Sequence, residues 1–320
     1  MLGTGDFAVP TFLALCEPAA RVEVLALVTQ PSRPRGRKQE ILPAPILVAA
    51  RDRGIPVLQP ESINDAESID QLRELDADLL ITAAYGQILS AEVLGASRLG
   101  GLNLHGSLLP AYRGAAPVAR AIQRGEVQTG VTVIQMNPRV DAGGMLLSAS
   151  TTIDPDETAG ELEERLARLG APLVVQAVHG LMDGTLSAQI QDQSKVSKAP
   201  KLTSEDGQID WNQSAAAIHN LVRAMQPRHA AWTERPALKP GQPAARLIVH
   251  RTRRTESPVS PPGIPPGGVL DGGPGRLLVA TGDGVLELVT VQTPGKKPMS
   301  AAEYLRGHPM FAGHRLGSSS

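Results

Sequence analysis

Two short stretches hold the residue types that could do chemistry. In Gly101-Leu102-Asn103-Leu104-His105 an amide and an imidazole stand two residues apart. The segment alternates like a β-strand, so both side chains project from the same face. A carboxylate follows an apolar run in Arg139-Val140-Asp141-Ala142-Gly143-Gly144. These three groups suit acyl transfer to an amine. The amine must lose a proton as it attacks, and the carbonyl oxygen gains negative charge in the tetrahedral intermediate. Asn103 and a protonated His105 can donate to that oxygen. Asp141 can hold His105 and accept the proton, provided burial raises its pKa toward neutrality. No Ser or Cys nucleophile is required. Taken alone, an Asn-x-His pair is more often a turn-capping amide beside an ordinary half-buried histidine.

The surrounding sequence must place these residues. Short apolar runs at 22–28 (VEVLALV), 78–84 (DLLITAA), 101–105 and 130–136 (GVTVIQM) read as strands. Helical stretches at 44–53 and 115–124 lie among them. The alternation predicts an α/β domain with a doubly wound, mostly parallel sheet. Ligands of such sheets bind outside the carboxyl ends of the strands. Asn103 and His105 fall at such an end, and the loop bearing Asp141 is expected to open on the same crevice. Thr158 and Glu161 form a capping-box pair ahead of Leu162, Leu166, Leu169 and Leu173, an amphipathic helix whose stripe is core. Gly3-Thr4-Gly5-Asp6-Phe7 lacks the third glycine of a dinucleotide loop and reads better as a turn beside the crevice. Only Met1 and Leu2 precede it, so the natural chain is expected to begin a few residues upstream.

From 187 to 208 the composition turns polar, with Lys195, Lys198 and Lys201 spaced along it, and reads as a linker. Strand-like runs at 246–250, 276–280 and 285–291, separated by Pro- and Gly-rich turns, predict a small β-barrel after it. The expected division is 1–186, 187–208 and 209–320. Aromatics at 2% argue against a platform that stacks single-stranded bases. One cysteine, Cys16, permits no internal disulfide and no thiolate cluster for zinc, which points to a reducing compartment. No apolar run approaches the roughly 20 residues of a membrane helix, and no signal-peptide pattern is visible.

The net charge of -1 hides an asymmetry: from Trp211 onward there are 13 Lys+Arg against 6 Asp+Glu. A basic module behind an acidic one fits a polyanionic partner, and it also fits compositional drift. Arg33, Arg35, Arg37 and Lys38 crowd one stretch between Pro31 and Pro43. They could meet the phosphates and base edges of a nucleic acid, or form a solvated loop.

The longer string His105-Gly106-Ser107-Leu108-Leu109-Pro110, followed by Arg113-Gly114-Ala115-Ala116-Pro117, resembles the methionyl-tRNA formyltransferase family. So do GTGDFAVP at 3–10, Thr29-Gln30-Pro31, Ala84-Tyr85-Gly86, Ile209-Asp210-Trp211, ATGDG at 280–284 and Pro294-Gly295-Lys296-Lys297-Pro298-Met299-Ser300. The matches run in order along nearly the whole chain, far more specific than any one motif.

The resemblance implies that Asn103, His105 and Asp141 are the catalytic trio. It implies that Ser107, Leu108, Leu109 and Pro110 border a folate site, and that the 85–89 segment, with Tyr85, Gly86 and Ile88, lines a pterin pocket. The implied fold is a formyltransferase domain followed by an OB-like barrel. The implied reaction moves the formyl group of 10-formyltetrahydrofolate to the amino group of methionyl initiator tRNA, without a metal, for translation initiation. The implied setting is a cytoplasmic monomer. The stretch with Arg33, Arg35, Arg37 and Lys38 would read the acceptor end of the tRNA, and the spacing allows Arg35 or Arg37 as its main arginine. Lys198, Lys201, Lys296 and Lys297 would extend that basic track, although each singly reads as solvated.

Other formyl-folate enzymes share the Asn-x-His, Ser-Leu-Leu-Pro and later Asp, but typically carry Pro where this chain has Gly106. Glycinamide ribonucleotide transformylase also lacks a C-terminal domain. A folate enzyme acting on another amine, such as a sugar nucleotide, and a non-catalytic RNA-binding protein are the competing classes. Two departures from the family pattern stand out. Pro227-Arg228-His229-Ala230-Ala231-Trp232 replaces a Pro-Trp-Pro type sequence, and Ala142 and Gly144 replace the usual Thr and Asp around the catalytic turn.

Overall fold

The structure is a computed structural model, and it describes residues 1–32, 43–237, 243–255 and 262–317. Two compact units emerge from the chain. The first comprises Met1–Pro117, Gln128–Thr152 and Glu161–Pro200, and the second Val118–Val127, Ile153–Gly160 and Lys201–Ser320.

The first unit is built on strands β1 (Leu2–Gly3), β2 (Leu27–Val28), β3 (Val57–Leu58), β4 (Leu80–Ala83), β5 (Gly101–His105), β6 (Gln128–Gln135) and β7 (Gly144–Thr152). Its helices include α1 (Val9–Cys16), α2 (Pro45–Arg51), α3 (Ala66–Glu74) and α4 (Ala91–Leu94). The helix α5 (Pro117–Gln123) leads into the second unit, and α6 (Ala159–Met182) returns to the first. The sheet order is β3-β2-β1-β4-β5-β6-β7. Pairing is parallel from β3 to β5 and antiparallel for β6 and β7. The strand order reverses between β1 and β4, so a crevice is expected outside their carboxyl ends.

Leu102 and Leu104 are buried on one face of β5. There α6 comes so close that a Cβ on Gly170 would lie 2.7 Å from a Leu104 methyl group. Asn103 and His105 therefore occupy the opposite face. The stripe of α6 differs from the expected run of leucines. Leu162 and Leu166 are fully buried, but the stripe continues through Val174 and Ala177, leaving Leu169 and Leu173 at its margin. At 3.6 residues per turn the leucine spacing would hold one face, whereas the buried run from Leu162 through Leu166 and Gly170 to Val174 drifts around α6, so the buried face is set by what the helix packs against.

The expected strand at 22–28 is much shorter, because β1 offers only Leu2 and Gly3 as parallel partners. Residues 22–25 lie outside the ladder and half exposed or exposed.

In the second unit α7 (Ala215–Met225) and α8 (Ala301–Gly307) accompany an antiparallel sheet. Its strands are β8 (Ala231–Arg235), β9 (Ala245–Arg254), β10 (Val269–Leu270), β11 (Leu277–Ala280), β12 (Val285–Gln292) and β13 (Met299–Ser300). They run in the order β10-β11-β12-β9-β8, with β13 on β12. A register irregularity between Leu288 and Val291 breaks the β12–β9 ladder, the kind of bulge that adds twist and lets a sheet curl. Leu247, Val249, Leu277, Val279, Leu286 and Leu288 alternate inward to form the core of this OB-like half-barrel.

Candidate active site

The site is assembled on β5 within the first unit. Asn103 lies beside Thr82 of β4, and His105 beside Thr132 of β6. The Thr82 hydroxyl donates to Asn103 Oδ1 at 2.7 Å and also lies 3.1 Å from the Leu102 carbonyl. Asn103 Nδ2 spends no hydrogen bond among the described residues, so the amide keeps its donors for a ligand.

His105 is 5% exposed, with Nε2 held by a hydrogen bond and Nδ1 facing a carboxylate. Nε2 lies 2.9 Å from the Tyr112 carbonyl, and Nδ1 lies 3.5 Å from Asp141 Oδ1. A carbonyl only accepts, so Nε2 carries a hydrogen. Nδ1 then faces a carboxylate and is the ring atom through which a second proton can be held or passed. At 3.5 Å the contact is too long for a good hydrogen bond, leaving room for a third group to share that nitrogen.

Asp141 reaches this position by an unexpected route. Because β6 is antiparallel to β5, Gln135 at its end pairs with Leu102, near the amino end of β5. The 136–143 segment must fold back across the Asn103–His105 face to bring Asp141 to the imidazole. The sequence suggested a loop opening directly on the crevice, a geometry that only a parallel β6 would produce. The turn places Asp141 at φ +50, a left-handed conformation that Asp tolerates better than most residues. Its Oδ2 accepts the Gly114 backbone N–H at 2.8 Å.

The connection after β5 supplies further fixed groups. Thr132, fully buried, donates to the Ser107 carbonyl at 2.7 Å and accepts the Leu109 N–H at 3.1 Å. Ser107 Oγ donates to the Ala111 carbonyl at 2.7 Å. Leu108 and Pro110 keep part of their surface exposed, whereas Leu109 is buried. Tyr112, at φ +62, receives the Ser197 hydroxyl as acceptor for its N–H at 2.9 Å.

At the reversal point, Thr4 donates to the Tyr85 carbonyl at 3.2 Å and accepts the Gln30 N–H at 3.2 Å. Gln30 Nε2 also donates to Tyr85 O, at 2.8 Å. Gly86 follows at φ +87, and a Cβ there would crowd Gln30 Nε2 at 2.5 Å. The Tyr85 ring itself packs in the core among Ile63, Ile69, Leu72, Leu89 and Val93. Burial pushes its phenol up to about 12, and its hydroxyl has no partner among the described residues. Tyr85 as a whole is buried, and it is Gly86 and the 63% exposed Ile88 that reach the surface of this segment.

Lys201 and Lys296 are exposed residues of the second unit. Arg33, Arg35, Arg37 and Lys38 lie outside the described residues. Thr82, Thr132 and Gln191 contribute to the site without having been singled out from the sequence. Nothing in their spacing distinguishes them; their role comes from contacts across the fold.

The formyl transferase family profile matches residues 1–178, and the profile of the formyl transferase C-terminal domain matches residues 201–309. Methionyl-tRNA formyltransferase of Chlorobium phaeovibrioides is 42% identical, over 99% of this chain and 97% of that one. Six further relatives of the same description are 40–43% identical. Among solved structures, an N-formyltransferase from Helicobacter canadensis, in complex with folinic acid and dTDP-3-aminofucose, superposes with a TM-score of 0.63. It is 15% identical and covers 90% of this chain and 99% of its own, a likeness of fold. HypX from Aquifex aeolicus aligns at a TM-score of 0.59 and 17% identity over 82% of this chain, which spans only 46% of HypX. With a family profile over more than half of its length and relatives of one description matching it end to end, the chain belongs to the methionyl-tRNA formyltransferase family.

Proposed function

We propose that this chain transfers the formyl group of 10-formyltetrahydrofolate to the free amino group of methionyl initiator tRNA, the modification that prepares this tRNA for translation initiation. The observation that carries the reading is the convergence of Asn103, His105 and Asp141 on one face of β5, in a chain of this family.

The co-substrate supplies a formyl carbon open to attack by an amine. Asn103 Nδ2, which makes no other hydrogen bond among the described residues, donates to the formyl oxygen. The His105 ring, anchored through Nε2 on Tyr112, presents Nδ1–H to the same oxygen as negative charge develops there. Asp141 stabilises the imidazolium by its proximity and takes the proton released by the attacking nitrogen; collapse of the tetrahedral intermediate then breaks the bond between the formyl carbon and N10, which takes up that proton and leaves as tetrahydrofolate. The donor set fits a small acyl carbonyl: two hydrogen-bond donors, one carboxylate and no competing nucleophile. Ser107, Leu108, Leu109 and Pro110 border the folate, with the Leu108 side chain and Pro110 ring as apolar surface. In the pterin-side segment Tyr85 anchors the chain from the core, while Gly86 offers backbone and Ile88 an exposed aliphatic group to the pterin.

Recognition of tRNA is assigned to Arg33, Arg35, Arg37 and Lys38, with Lys201 and Lys296 on the second unit. The positive balance of the chain after Trp211 supports a polyanionic partner. The reading includes a cytoplasmic monomer with a catalytic part at 1–186, a connector at 187–208 and a tRNA-binding part at 209–320.

Incubation with 10-formyltetrahydrofolate and methionine-charged tRNA tests the proposal. Formylation of the charged initiator and not of the charged elongator is expected. Formylation of neither, with turnover on an amino sugar nucleotide, would assign the chain to a different acceptor.

A further inference from the structure

We propose that Gln191 is a positioning residue for the formyl transfer, setting the place of Asp141 through the backbone of its loop. The inference rests on the functional reading above and extends it to a residue outside the trio. Gln191 is 3% exposed, although it stands in a polar stretch of sequence. Its Nε2 donates to the Asp141 carbonyl at 2.8 Å and to the Gly143 carbonyl at 2.7 Å. Its Oε1 accepts from Arg113 Nε at 3.0 Å and Arg113 Nη2 at 2.7 Å. Two donors and two lone pairs are all spent. The orientation of the amide is chemically forced, because guanidinium groups only donate and carbonyls only accept.

The placement of these bonds gives them their consequence. The two carbonyls bracket Ala142, so a single amide clamps the turn in which Asp141 adopts φ +50. On its other side Gln191 grips Arg113, which sits between Tyr112 and Gly114. Tyr112 holds His105 Nε2, and Gly114 holds Asp141 Oδ2. Arg113 is itself pinned by backbone bonds to Ser197 and Ala199. The carboxylate and the imidazole are thus referenced to one rigid segment, and Gln191 ties that segment to the folded-back loop. A loop that crosses the sheet face has no ladder to keep it in place, so this clamp takes over the task.

Gln191→Glu preserves the acceptor for Arg113 and replaces the donors with oxygen facing two carbonyls. Gln191→Met removes every bond at nearly the same volume. Displacing a reacting group by an ångström costs rate more than affinity, so kcat should fall about 10- to 100-fold in both variants. The KM for each substrate should stay within about twofold. The 15N resonances of the His105 ring, assigned with a His105→Gln variant, should move in both. A kcat that falls only in proportion to the folded fraction, with the His105 resonances unmoved, would overturn the proposal. If the wild type formylates no charged initiator tRNA, the functional reading fails by itself. Gln191 is then judged on the His105 resonances, where movement upholds its role and constancy refutes it.

Discussion

The Tyr112 carbonyl lies 2.9 Å from His105 Nε2 and so dictates which ring nitrogen of His105 can do chemistry. A backbone acceptor holds the hydrogen on Nε2, and Nδ1 is left to work beside Asp141. The histidine is oriented by main chain and not by a side chain, so substitution of Tyr112 alone does not release it. The catalytic consequences follow from Asp141 on the Nδ1 side of the ring and from Asn103 on the same face of β5.

Replacing Asp141 by Asn keeps the shape and the acceptor for Gly114 while removing the charge. A general base contributes about 10²- to 10⁴-fold, so kcat should fall by that much while folate binding survives. Single-turnover kinetics with a folate-binding titration on the same preparation would check both halves. Retained turnover would remove Asp141 from the mechanism.

Asn103→Ala withdraws one donor from the place where charge develops. Loss of a single such donor typically costs about 10²- to 10³-fold in kcat. The KM for tRNA should be little changed, since Asn103 acts on the formyl oxygen and not on the RNA. A variant whose defect lies mainly in KM would make Asn103 a binding group instead.

Gly114 stands at φ +125, and a Cβ there would come within 2.7 Å of the Ala199 carbonyl. Gly114→Ala must therefore shift the segment that donates to Asp141 Oδ2. Backbone strain of this type costs of order 1–3 kcal/mol, so a lowered Tm and a lowered kcat should appear together. Thermal melts paired with kinetics test this; a variant with wild-type values in both would show that the segment yields freely.

Burial lowers the His219 imidazole below its ordinary value, against the opposing pull of the Pro155 carbonyl and Asp156. The unfolded chain, with an imidazole near the usual value of about 6.5, binds this proton more readily than the folded one. The contribution is complete above about pH 6.5 and is lost as the pH falls from there through the folded value. The fall in Tm between about pH 7 and about pH 5 should be smaller in His219→Gln than in the wild type. An equal fall would exclude His219 as a source of acid sensitivity.

Replacing Arg33, Arg35 and Arg37 together should raise the KM for tRNA. It should also flatten the salt dependence by roughly two to three units of slope if all three meet phosphates. An unchanged slope at varied salt would place these arginines away from the RNA.

Several features were legible because local chemistry displays them. Alternation in GLNLH put Asn103 and His105 on one face, and the apolar runs announced the α/β sheet and the later β-rich unit. Elsewhere a local pattern was overruled by its partners. The apolar run at 22–28 has the composition of a long strand, yet it pairs only where β1 has residues to offer. Leu169 and Leu173 have the type of core residues, yet the face of α6 that meets β5 is centred on Gly170. Tyr85 was assigned to the pterin side by resemblance, and its ring is in the core while its backbone faces Thr4 and Gln30.

By itself the sequence determined the identities and the local order of the reacting groups, since residue type and a two-residue period are properties of a few neighbouring positions. Tertiary structure alone decided that β6 runs antiparallel, that the Asp141 loop must therefore double back, and that a glutamine 50 residues away holds it there. Such long-range contacts depend on which elements pack together, a global free-energy balance that no short window of residues contains.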